Sequence, residues 1–574
     1  MSQEATKGDG DAAMGGEDAA TGDEGVATGD GGVATGAATG GEDAAMGDGR
    51  AFATQVSIVP APAHAAWGEG EAFALAAGLR VLLEGPDGAS AGHDAEADAE
   101  AEAEANAEAN ADAGAAPVAV RFAEILGSAA GRVVPVVTSD DGGPGLVVLR
   151  PGPGSADLRS HRVGPDRIEA ESYRIDVSSG RVLVEAGGPE GLLHAAASLA
   201  QLVTEGPDGA RVIPAVCVED SPRFAWRGLS VDLARHFFGA EVLHDLIDLM
   251  AGLKLTVLHL HLTDDQGWRV EIPSRPLLTH SSGSTAVDGD PGGWFTVDAY
   301  TDLVGYAAER GIVVIPEIDL PGHVNAALHA YGELTPSGLP APEFTGIEVG
   351  FSKLDASLAS TEPFLRDVLA DMAAMTPGPY LHIGGDEVLT MSAEEHRDLV
   401  GLAAAQVLAA GKTVVGWQEV AGAELGAGSV VQYWDEREGA ARVVAAVERG
   451  AGLLLSPATR VYLDMKYDSS TPLGLEWAGT VELRDAYCWD PLAVLPEVPT
   501  DRVVGIEAAI WTETLRTADE LFSMLLPRLA AVAEVAWSAP ERIDWDGFAA
   551  RVPALARRWS AAGLAWHRAA GVDW

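Results

Sequence analysis

The chain is poor in cysteine: 574 residues carry two, Cys217 and Cys488. Two thiols exclude a disulfide framework and a cysteine-rich zinc site, and the expectation is two buried free thiols rather than one bridge. It is poor in positive charge as well. Lys and Arg number 37 against 86 Asp and Glu, a formal net charge of −49. Phosphate recognition needs a basic face, so nucleic acid is excluded as a partner. Attraction to an anionic membrane fails for the same reason. Lysine itself is scarce, at 5 residues, and with abundant Ala and Gly this reads as a bias of nucleotide composition. No apolar run reaches the roughly 18–20 residues of a membrane span. The first residues show no basic segment followed by an apolar one, so the expected location is the cytoplasm.

What is present is enough apolar surface for a core, with 47% hydrophobic residues. It is unevenly spread. Residues 1–50 hold 11 acids, 2 bases and 14 glycines. Such a segment buries too little to offset its ordering entropy, so 1–51 is expected to be a disordered acidic tail. A second acidic stretch, 94–112, has 8 acids, no base and alternating alanine. It lacks an apolar face, and an acidic low-complexity insertion is expected at about 88–116.

Between 52 and 220 short strand-like runs at 133–137, 145–150, 173–177 and 181–186 accompany one helical stretch, 191–203. This predicts a small α/β domain. The turn chemistry of Asp220-Ser221-Pro222 marks its end. From 221 to 574 the rhythm becomes strand then helix. Apolar runs at 228–233, 256–262, 311–317, 380–383, 413–417, 429–434, 452–456 and 503–508 alternate with amphipathic stretches such as 242–253 and 393–410. Eight such units predict an α/β fold of the (β/α)8 TIM barrel type, preceded by the small α/β domain. An open doubly wound sheet is the alternative, but no glycine-rich phosphate turn follows the first run.

In a barrel, the C-terminal strand ends carry the site. Here they are rich in carboxylates and aromatics: Asp232 and Arg235; Asp264 and Asp265; Glu317 and Asp319; Asp386 and Glu387; Trp417 and Glu419; Trp434 and Asp435; Tyr462 and Asp464; Trp511 and Glu513. Aromatic rings pack on the apolar faces of sugars, and carboxylates with arginine bind hydroxyls by charge-assisted hydrogen bonds. One carboxyl has to protonate a leaving oxygen, which requires burial or a negative neighbour to raise its pKa. His382-Ile383-Gly384-Gly385-Asp386-Glu387 supplies such a pair. Two adjacent acids do not readily flank a sugar ring from opposite sides, as ordinary retaining and inverting pairs must. They suit a scheme in which the 2-acetamido oxygen of the substrate is the nucleophile.

The order of segments resembles family 20 glycoside hydrolases, the β-N-acetylhexosaminidases. The segments are 226–236 (WRGLSVDLARH), 259–269 (HLHLTDDQGWR), 316–323 (PEIDLPGH), 384–387 (GGDE), 417–419 (WQE), 462–467 (YLDMKY) and 511–513 (WTE). The resemblance runs from about 52 to 574, outside the acidic tracts. It implies removal of terminal β-linked N-acetylglucosamine or N-acetylgalactosamine with retention, through an oxazolinium-like intermediate. It implies Glu387 as general acid and then base, Asp386 as the group that orients the acetamide, and Tyr462 as donor to its oxygen. Trp417, Trp434 and Trp511 would wall the acetamide pocket. Arg235, Asp464 and Glu513 would bind ring hydroxyls, and Trp477 would stack near the leaving group. Asp264 and His323 would form a hydrogen-bonded pair that tunes Glu387. Such chemistry needs no cofactor and no metal.

Two other classes remain open on the sequence. His259 and His261 share a strand face as in metal-dependent barrel hydrolases. A non-catalytic amino-sugar-binding protein would keep the tryptophans. The preference at the sugar C4, the natural substrate and the oligomeric state are not fixed by these residues.

Overall fold

Eight parallel strands close into a barrel: Trp226–Asp232, Val257–His261, Val313–Glu317, Tyr380–His382, Thr413–Trp417, Val430–Tyr433, Gly452–Leu455 and Val503–Ile510. The structure, a computed structural model, describes residues 57–84, 116–140, 142–152 and 163–574. The tail expected at 1–51 and the acidic stretch at 94–112 lie outside the described residues.

Each of the eight expected runs overlaps a barrel strand, the first strand beginning two residues before its run and the last ending two residues after. Covered on both faces, such strands read as continuous apolar runs. The last strand pairs with the first, Trp226 facing Gly505 and Val231 facing Ile510. A Cβ at Gly505 would meet the Trp226 carbonyl oxygen at 1.8 Å, so a glycine is needed where the two strands close the barrel. Helices between the strands are fixed at their starts by side-chain caps. Thr296 accepts from the Ala299 N–H, Ser392 from Glu395, and Thr517 forms a capping box with Glu520.

The smaller part is a seven-stranded mixed sheet, in the order His64–Trp67, Val216–Asp220, Tyr173–Val177, Arg181–Ala186, Leu146–Pro151, Arg80–Leu83, Val136–Val137. The expected run at 133–137 shrinks to its last two residues. One helix was expected there, and three are found: Ala116–Ala130, Pro165–Glu171 and Pro189–Leu202. The first follows directly on the acidic tract, whose composition masks its start.

Buried ionic contacts join sheet and barrel. The Lys254 ammonium donates to Asp220 Oδ2 at 2.9 Å and to the Tyr173 hydroxyl at 2.7 Å. The Trp537 indole donates to Asp220 Oδ1 at 3.0 Å. Arg227 pairs with Glu171 at 2.8 Å, with neither side chain exposed. The two cysteines are free, but they are not buried: Cys217 is half-buried on a sheet strand and Cys488 is exposed. No helix among the described residues is long and apolar enough to cross a membrane.

Candidate active site

The barrel axis is polar. Branched apolar layers usually fill such a barrel; here Glu507 and Glu317 stand inside it. Glu507 accepts from the Trp226 indole at 2.8 Å and from Gln432 at 2.9 Å, and bonds His259 Nδ1 at 2.9 Å. Glu317 lies 3.1 Å from His259, 2.6 Å from His261 and 2.9 Å from His382, and accepts from the Trp417 indole at 2.8 Å. Burial opposes charge on Glu317, but the three histidines outweigh it and hold the carboxyl well below its usual range. His259, opposed by burial and held up by Glu317 and Glu507, is raised to about 9. In that imidazolium state it has no lone pair to offer a metal.

The network rises to the strand ends. His261 Nε2 lies 3.0 Å from Asp264, which also pairs with Arg235 at 2.7 Å and His323 at 3.1 Å. Burial works against the charge of Arg235, yet Asp264 and Asp232 outweigh it and keep the guanidinium firmly protonated. Its carbon sits 5.2 Å from the Trp511 ring centre. The pairing of Asp264 with His323 is found. The far nitrogen of His323, however, lies 3.7 Å from Asp386, so the pair meets Asp386 by contact and Glu387 through charge alone.

Asp386 and Glu387 stand on a loop built from left-handed backbone, with φ of 65° at Gly384, 108° at Gly385 and 46° at Glu387. The glycines take this conformation freely, and at Glu387 it is strained. His396, from the following helix, bonds the Gly385 carbonyl at 2.6 Å and anchors the turn. Asp386 is 9% exposed. Burial first, and then the Asp386 carboxylate, push Glu387 above its usual pKa, as a general acid requires.

Aromatic rings form a continuous arc beside this pair. Trp417 lies 5.9 Å from Trp511, Trp511 lies 6.2 Å from Tyr462, and Tyr462 lies 6.1 Å from Trp434, centre to centre. Trp477, 43% exposed, sets its edge on both Trp434 and Tyr462 at 5.8 Å. Burial, then Asp386, raise the Tyr462 hydroxyl far above its usual value, so it stays a donor. Asp464 is buried without a side-chain partner, and burial and Glu513 raise its pKa. Burial likewise raises Glu513, against the pull of Arg235.

The fold thus gathers every residue expected at the site at the same end of the barrel. Four that carry the geometry had no role from sequence. Glu317 and Glu419 had been seen only as strand-end acids. Glu507 had one signal, an acid inside an apolar strand. His396, at a helix start, had none. Glu419 accepts from the Trp434 indole at 3.3 Å, and burial with the nearby Asp386 pushes it up to about 8.

The combination of an acid pair, Asp386 buried and Glu387 half-buried, with an aromatic arc and a hydroxyl donor is that of a sugar-cleaving site. Known proteins agree. Residues 224–400 and 394–540 match the glycosyl hydrolase family 20 catalytic domain, and 55–221 match domain 2 of that family. A beta-N-acetylhexosaminidase of Cellulomonas fimi is 54% identical over 457 residues, 80% of this chain and 90% of the relative. A beta-hexosaminidase of Vibrio furnissii is 34% identical over 416 residues, 66% and 67% of the two chains. The solved Streptomyces plicatus N-acetyl-beta-hexosaminidase superposes with a TM-score of 0.79 at 39% identity, covering 90% of this chain and 98% of its own. The chain is a glycoside hydrolase, and it belongs to glycosyl hydrolase family 20.

Proposed function

We propose that this enzyme releases terminal β-linked N-acetylglucosamine or N-acetylgalactosamine, with the substrate's acetamide as nucleophile. Glu387 protonates the leaving oxygen and then removes a proton from the incoming water. Asp386 accepts from the acetamide N–H and turns its oxygen toward C1, and Tyr462 donates to that oxygen. Trp417, Trp434 and Trp511 enclose the acetamide. Arg235, Asp464 and Glu513 bind the ring hydroxyls, and Trp477 offers its exposed face to the leaving group. The observation that carries this reading is the Asp386–Glu387 pair, with Glu387 raised in pKa and the aromatic arc beside it. Domain boundaries at 52–220 and 221–574 are part of the same proposal. So is a cytoplasmic location, where the two unpaired thiols stay reduced.

A metal-dependent mechanism fits less well, because the axial histidines are engaged by carboxylates. A mere sugar-binding role leaves the raised acid without a purpose. Initial rates on aryl β-N-acetylglucosaminide, β-N-acetylgalactosaminide and plain β-glucoside, side by side, test the proposal. Turnover of the first two and not the third is expected. Efficient cleavage of the plain glucoside contradicts acetamide participation.

A further inference from the structure

Asp319 lies beneath the catalytic loop and has no part in the scheme above. It is 1% exposed, at the end of the third strand. Its Oδ1 accepts from the Gly385 N–H at 3.2 Å, while its own N–H donates to Thr263. A Cβ at residue 384 would meet Asp319 Oδ1 at 1.7 Å. The carboxyl therefore fills the space that a side chain at Gly384 would take, two residues before Asp386. Side-chain polar atoms of Asp319, His323 and Asp386 all lie within 4.8 Å of one another. Asp319 Oδ2 and Asp386 Oδ1 are both buried, and neither has a hydrogen-bond partner.

Two carboxylates this close, with a free oxygen on each and little water, do not both ionise. The groups facing Asp319 decide which one keeps the charge. Glu317 and His323 come from its own strand and loop, His261 from the second strand, and Asp386 from the fourth loop. Asp264 acts on it through its hydrogen bond to His323. His323 stands 3.7 Å from Asp386 Oδ2 and favours an anion there. Asp319 takes a backbone N–H on one oxygen and has no cation in hydrogen-bonding contact.

We propose that Asp319 is a positioning residue: as the neutral acid it donates, directly or across one water, to Asp386, leaving Asp386 ionised and aimed at the substrate acetamide. The pair holds one proton, which stays in place through turnover. Burial and the Asp386 charge raise the Asp319 pKa well above the ordinary range, in agreement. The proposal rests on the acetamide-assisted reading for its consequence in turnover, and on the buried geometry alone for the proton.

Asparagine reproduces the neutral acid, with a carbonyl for the Gly385 N–H and an N–H for Asp386. Asp319→Asn is expected to keep kcat on an aryl β-N-acetylglucosaminide within about fivefold, with both limbs of the pH profile in place. Asp319→Leu, with the same branching but without donor or acceptor, is expected to lose about thirtyfold or more. If Asp319 is instead ionised in the native enzyme, Asn removes a negative charge beside Asp386 and Glu387. Both limbs then move to lower pH, which overturns the proposal, as does a loss with Asn as large as with Leu. An infrared difference spectrum of native minus Asp319→Asn protein at neutral pH reads the proton without turnover. A carboxylic-acid carbonyl band that disappears in the variant supports the pair, and its absence sinks it, whether or not Asp319→Leu folds. A native enzyme inactive on N-acetylhexosaminides that still shows this band would refute the functional reading and leave the shared proton standing.

Discussion

The indole N–H of Trp434 donates to the carboxyl of Glu419 at 3.3 Å, at the edge of a site already crowded with acids. Glu419 is raised to about 8 by burial and by Asp386. An acid raised in the folded state binds a proton there that the unfolded chain has released. Between the unfolded value near 4.5 and the folded value near 8, stability therefore falls as pH rises. Glu419→Gln removes this dependence. Urea unfolding at pH 5 and pH 8 should show the variant gaining on the native protein by up to about 1 kcal/mol per pH unit. A constant difference across that window contradicts the assignment.

Glu387→Gln keeps the shape and loses the proton. Turnover of an aryl β-N-acetylglucosaminide should fall by about 10²–10⁴-fold, with binding of the free amino sugar retained. In the native enzyme kcat/KM should decline on the alkaline side as Glu387 ionises, at a pH above an ordinary glutamate's because its pKa is raised. Near-native turnover in the variant refutes the role of Glu387.

Trp477 is the exposed member of the aromatic group and packs edge-on against Trp434 and Tyr462. Trp477→Ala should raise KM for a disaccharide about tenfold and change kcat little, because a stacking face lost from both ground and transition state is uniform binding. Steady-state kinetics on chitobiose check this. A fall in kcat with KM unchanged would place Trp477 in the chemical step instead.

Lys254 is buried with Asp220 where sheet meets barrel, just before the second barrel strand and so at the opposite end of that strand from the site loops. Lys254→Met leaves the Asp220 charge without its cation, which costs about 3–5 kcal/mol. Denaturant unfolding should show that loss, while kcat of the folded enzyme stays within about twofold. An unchanged midpoint would mean that the Trp537 and Tyr173 donors suffice for Asp220.

The barrel was legible because its strands are covered on both sides, so that runs such as Val430–Tyr433 stand out from the helices around them. The Asp386–Glu387 pair was legible because two adjacent acids follow two glycines at the end of an apolar run in a barrel pattern. The small domain was less so. Strands such as Arg80–Leu83 find their partners far along the chain, and Ala116–Ala130 begins where an alanine- and acid-rich stretch ends. Hidden too was the direction of the acids. Sequence placed Glu317 at a strand end, but only the closed barrel turns it inward to meet three histidines and an indole. Cys488 was misjudged because an apolar residue type carries no information about which side of a loop it takes.

The polar axis has a consequence for how this enzyme can change. Glu507, His259, Glu317, His261 and Asp264 are joined end to end, each carboxyl in contact with an imidazole. One replacement strands a neighbour, so substitutions here are strongly non-additive, and a change tolerated in one background fails in another. A lineage drifting in substrate preference can edit the aromatic arc and the exposed rim one residue at a time. The ionic spine beneath them has to be inherited whole.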